Sequence, residues 1–123
     1  MKIIYASVKI ESQCTILKEA LKLFGGNRVL AVSLLARVNA LYAAEYIRDI
    51  IVQPAFHFHN LGIKDGRNLT GLFAIDVKTR KAPWRLILQP LDEKEMPFVP
   101  CHIDEISATV KIIKIMEVSR HYE

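Results

Sequence analysis

Arg85 lies in the apolar run Trp84-Arg85-Leu86-Ile87-Leu88, and Arg120-His121-Tyr122 follows a second apolar-basic run, residues 109–118. If the two runs are neighbouring strands of an antiparallel sheet, these side chains meet at one sheet edge. They would then supply a cation for phosphate and two groups able to move protons. Metal-free RNA cleavage needs such a set. The ribose 2′-hydroxyl attacks its own phosphodiester while one group takes its proton, another protonates the leaving 5′-oxygen, and cations hold the charge on phosphorus.

Each residue type suits a part of that chemistry. The planar fork of Arg85 can bind two phosphate oxygens at once. His121 titrates near neutrality and can act as base or acid. Tyr122 can act as a base if a cation such as Arg120 lowers its pKa, and otherwise as an acid or a stacking surface for a nucleobase. His59, Lys64 and Arg67 belong to a turn-rich stretch that would face this site and contact RNA. Each feature also has a plainer reading. A strand arginine commonly packs its stem and leaves its head in water, and a terminal His-Tyr-Glu is often a frayed end.

The elements that must position these residues are legible in outline. Lys2-Ile3-Ile4-Tyr5 reads as a short strand. The spacing of Ile16, Leu17, Ala20, Leu21 and Phe24 predicts a helix within residues 8–24, ended by Gly25-Gly26. Asn27 can cap a second helix over about residues 28–50, with Ala31, Leu34, Leu35, Val38, Leu41 and Tyr42 on one stripe. Small residues on its other side, such as Ser33, Ala36 and Ala40, read as simple helix formers. Pro54 closes this helical part. Residues 60–68 read as a loop. Three strands follow, over 71–77, 82–89 and 109–118, with a proline-rich connection between the last two. Helices first and antiparallel strands afterwards predict an α+β fold. Two N-terminal helices would pack on one face of a small antiparallel sheet, as one domain over residues 1–123.

Bulk properties bound the function. The chain has 123 residues, 51% hydrophobic and 24% charged, an ordinary globular balance large enough for a real core. No apolar run reaches the roughly 18 residues of a membrane helix, and the start lacks the apolar core and cleavage site of a signal peptide. A cytoplasmic chain with no membrane partner and reduced thiols at Cys14 and Cys101 is expected. Net charge is +4, unevenly spread. Residues 54–90 hold six Lys/Arg against two acids, and residues 91–108 hold one Lys against five acids. A basic pole for phosphate and an ordinary mixed surface both fit that pattern.

Read in order, the whole chain resembles the HigB-type plasmid-maintenance killer toxins of the RelE/ParE superfamily. The resemblance rests on Lys2-Ile3-Ile4-Tyr5-Ala6, Val38-Asn39-Ala40-Leu41-Tyr42-Ala43-Ala44-Glu45 and Phe58-His59-Asn60-Leu61. It continues through Thr70-Gly71-Leu72-Phe73-Ala74-Ile75-Asp76-Val77, Trp84-Arg85-Leu86-Ile87-Leu88-Gln89-Pro90 and Met116-Glu117-Val118 before the tail. It implies a RelE-like fold and a type II toxin that cuts mRNA on the translating ribosome. It also implies a HigA-like helix-turn-helix antitoxin, the pair binding operator DNA through the antitoxin. By position, Arg85 matches the family's phosphate-binding arginine and His59 the histidine before the central strands. His121 and Tyr122 fall where the family ends in acid-Tyr-His. Here the order is His-Tyr-Glu, offset by one residue, and the family's Leu-Lys-Gly loop is altered, with Lys64 and Arg67 displaced.

Two rivals follow from the same resemblance: a ParE-like inhibitor of DNA gyrase, and a non-catalytic binding protein on the same fold. No cofactor or metal is expected. His57-x-His59 and Cys101-His102 carry ligand types, but nothing in their spacing binds the two pairs into one zinc site. Trp84, Phe56, Phe58, Phe73 and Phe98 read as core or antitoxin contacts.

Overall fold

Alternation of apolar residues builds a five-stranded sheet from β1 (Lys2–Tyr5), β2 (His59–Lys64), β3 (Arg67–Asp76), β4 (Arg85–Leu91) and β5 (Ile112–Ser119), in the order β1-β5-β4-β3-β2. The computed structural model describes residues 1–64 and 66–120, with Lys64 described by its backbone alone. The strands over 71–77, 82–89 and 109–118 are adjacent and antiparallel, as the sequence predicts. The sheet as a whole is mixed, because β1 adds to the edge of β5 in parallel.

Three helices follow β1 in succession: α1 (Val8–Thr15), α2 (Leu17–Leu23) and α3 (Arg28–Ala43). The helix expected within 8–24 is thus two. Ile16 between them is extended, at φ −119° and ψ 116°. Thr15 and Ile16 are β-branched and poor at holding a helix, and the Thr15 hydroxyl bonds back to the Glu11 carbonyl at 2.7 Å. Ser7 and Asn27 cap α1 and α3 by accepting from the Ile10 and Leu30 N–H groups. Gly25 and Gly26 have φ of 61° and 87°, a backbone that glycine adopts at little cost, and they separate α2 from α3.

The second helix is shorter than its sequence suggests. Ala44 is extended, and the Asp49 carboxylate then accepts from the Glu45 and Tyr46 N–H groups to start a new short helix, α4 (Arg48–Ile51). Ala31, Leu34, Val38 and Leu41 of α3 are buried against Ile75, Val77, Leu86, Leu88, Ile113 and Ile115 of the sheet. Tyr42 is 45% exposed, and its hydroxyl meets that of Tyr5 at 3.1 Å. Phe56 and Phe73 are core residues, and Trp84, Phe58 and Phe98 pack at its margin. A further short helix, α5 (Ile103–Ile106), lies in the connection from β4 to β5.

The stretch 60–68 differs most from expectation. It forms β2 and the start of β3 in place of a loop. Gly62 and Gly66 both have positive φ, at 59° and 75°, so turn-type residues serve inside and at the tip of a hairpin. The register slips between Asn60 and Gly62. Gly71, at φ 84°, lies on β3 opposite that slip and permits the bulge. A second small core of Leu61, Leu69, Ala74 and Ile87 lies apart from the one that packs the helices.

Candidate functional site

Cross-strand partners in a sheet share a face, so the register places the polar residues. Asp76 on β3 is opposite Arg85 on β4, which is opposite Ser119 on β5. The next rung on the same face runs His59, Ala74, Ile87, Glu117 across four strands. Ala74 and Ile87 belong to the second core, so both rungs lie on the face away from the helices. Asp76, Arg85 and Ser119 are the buried polar or charged residues among those described.

Asp76 is the hub. Its side chain is 2% exposed, and its Oδ1 lies 3.3 Å from Arg85 Nε and 3.1 Å from His57 Nδ1. Two buried charges so placed hold one another, and each depends on the other for compensation. Arg85 is only 5% exposed. Its Nη1 donates to the Ala82 and Trp84 carbonyls and its Nη2 to the Arg80 carbonyl at 2.9 Å. Arg85 therefore closes the turn between β3 and β4 and neutralises Asp76. The exposed phosphate fork expected from sequence is here an enclosed guanidinium with a protein partner on each nitrogen. An arginine that opens a strand just after a tight turn finds the turn's carbonyls before it finds water.

His57 ends the short 3₁₀ turn Pro54–Phe56 with φ 50°, a left-handed backbone that a side chain other than glycine adopts only at a cost of roughly 1–2 kcal/mol. The bond to Asp76 fixes its ring. Since a carboxylate can only accept, Nδ1 is the donor, and in the neutral form of the ring Nε2 carries the lone pair. His59 stacks on His57 with centroids 4.5 Å apart, and its Nδ1 donates to the His57 carbonyl at 2.8 Å. Its Nε2 is likewise an acceptor. The His59 pKa is lowered, first by burial and then by the nearby His57 and Arg85, while the His57 carbonyl and Asp76 act in opposition. Burial thus favours the neutral form of the His59 imidazole.

The other expected residues are distributed unevenly. Ser119 is paired with Arg85, so Arg120, which is exposed, leaves the sheet at the Arg85 rung. His121 and Tyr122 lie outside the described residues. Lys64 and Arg67 pair with each other at the tip of the β2–β3 hairpin. Lys64 lies five residues beyond His59 along β2, a span of at most about 17 Å, so the tip and the histidine pair are separate ends of one hairpin. Arg67 is exposed.

His57 and Asp76 were not singled out for this site by sequence reasoning. They are nineteen residues apart, and only the strand register and the turn at residue 57 join them. The one signal is His57-x-His59 itself, a pair of metal-ligand types that the spacing does not join into a zinc site. Among the described residues, no group of three or more His, Cys, Asp or Glu side chains is placed to hold a metal ion. His102 faces Glu105 at 3.3 Å instead. No family model, no curated protein and no solved structure matches this chain.

Proposed function

We propose that this chain is the toxin of a type II toxin–antitoxin pair, a ribosome-dependent, metal-independent mRNA endoribonuclease that inhibits translation in the cytoplasm. One observation carries the reading: the stacked His57 and His59 imidazoles, one held by Asp76, stand at the sheet end where β5 reaches Ser119, opposite Arg85. General acid–base groups and cations converging without a metal are what 2′-hydroxyl attack requires. In this reading His121 and Tyr122 move protons and Arg120, His59, Lys64 and Arg67 contact RNA. Arg85 contributes its charge from beneath the site and holds Asp76 in place. The partner is a HigA-like helix-turn-helix antitoxin, through which the pair binds operator DNA.

The enclosure of Arg85 favours a second reading, a non-catalytic binding protein on the same fold, because a guanidinium bound to three carbonyls and a carboxylate has little left for phosphate. Induced expression separates the readings. Growth arrest with cut mRNA, relieved by the cognate antitoxin, supports the nuclease. Arrest with intact mRNA and damaged DNA indicates a gyrase inhibitor, and unimpaired growth at high soluble expression indicates the binding protein.

A further inference from the structure

We propose that His57, oriented by the buried Asp76 carboxylate, is the general base of the cleavage step, an assignment that rests on the ribonuclease reading above. Three features set His57 apart from a solvated histidine. Its Nδ1 is held at 3.1 Å by a carboxylate that is 2% exposed. Its backbone is in the left-handed region, so the fold bears a conformational cost at the residue that delivers the ring to Asp76. Its side chain is 28% exposed, so it is not sealed from solvent as Asp76 is. A carboxylate that fixes the Nδ1 proton and faces the imidazolium formed at Nε2 is the orienting partner of many catalytic histidines.

The charged and titratable groups around the ring come from several elements. Asp76 and Arg85 lie beneath it on β3 and β4, and His59 stacks on it from β2. Arg85 Nε lies 3.3 Å from the same Asp76 Oδ1 that His57 Nδ1 meets at 3.1 Å. In the step, His57 Nε2 takes the 2′-hydroxyl proton as O2′ bonds to phosphorus. The P–O5′ bond breaks, and the 5′-oxygen takes a proton from the acid that the ribonuclease reading assigns to His121 or Tyr122. The products are a 2′,3′-cyclic phosphate and a 5′-hydroxyl, and the imidazolium returns its proton to solvent. Asp76 is a positioning residue throughout.

The test is single-turnover cleavage of an mRNA on programmed ribosomes by the purified full chain. His57→Asn suits the left-handed backbone and can still bond Asp76, but it cannot take the proton. We expect His57→Asn and His57→Gly each to slow cleavage about 10²–10⁴-fold, with added imidazole recovering part of the rate of the glycine variant. Asp76→Asn should lower kcat with little change in KM. A His57→Asn variant that cuts at the wild-type rate would overturn the assignment while leaving the ribonuclease reading intact. So would loss in the glycine variant alone without imidazole recovery, since that marks a structural ring. A wild-type chain that leaves the mRNA uncut overturns both. Nitrogen-15 spectra of the imidazoles give a readout free of RNA: the proton must reside on Nδ1 of His57, and an Nε2–H tautomer contradicts the proposal.

Discussion

Asp76 Oδ1 lies 3.3 Å from Arg85 Nε across the β3–β4 pair, with both side chains almost fully removed from water. Removing one member of such a pair leaves a buried charge, and the usual cost is roughly 3–5 kcal/mol. His57 remains beside Asp76 and offsets part of it. Arg85→Ala is therefore expected to destabilise the domain by about 3 kcal/mol, together with any effect on cleavage. Urea unfolding checks this, and an unchanged midpoint would show that Arg85 is a surface residue in solution.

His59 links stability to pH. Its folded pKa is lowered, chiefly by burial, below the ordinary value of about 6.5. As pH falls through about 6.5 the unfolded chain takes up the proton first, so stability declines until the folded pKa is reached. His59→Gln should flatten the decline in stability that begins as pH falls through about 6.5. A wild-type profile with the same slope as the variant would contradict the burial of this ring.

The two thiols should differ in reactivity. Cys14 is 1% exposed and burial pushes its thiol up to about 12, while Cys101 is raised by burial but partly accessible. Since the thiolate is the reactive form, the folded protein at pH 8 should titrate one thiol slowly with a disulfide reagent and the second only after denaturation. Simultaneous reaction of both would show that α1 opens readily from the core.

Truncation after Ser119 tests the tail. β5 ends at Ser119, so removing residues 120–123 should leave the thermal midpoint within a few degrees while weakening cleavage about 10²-fold or more through loss of His121 and Tyr122. Full activity in the truncated chain would remove the tail from the mechanism.

The sheet was legible where strand-forming apolar residues cluster, as in Leu72–Val77 and Trp84–Leu88, and the Asn27 cap was legible from its side-chain chemistry. The hairpin 59–64 with 67–76 was not, because Gly62, Gly66 and Gly71 carry positive φ inside it and break the alternation. The α1–α2 break at Ile16 was hidden by apolar spacing that continues across it. The parallel addition of β1 to β5 depends on contacts between the two ends of the chain. For the site, residue types at Arg85 and His59 drew notice, but the hub at Asp76 came from register alone.

The most direct test of the central claim is to map mRNA 5′ ends across a cell after induction of this chain without an antitoxin. The account predicts rapid arrest of translation, with new 5′-hydroxyl ends inside coding regions and only on messages being translated. Intact messages in cells that hold abundant soluble protein would contradict it.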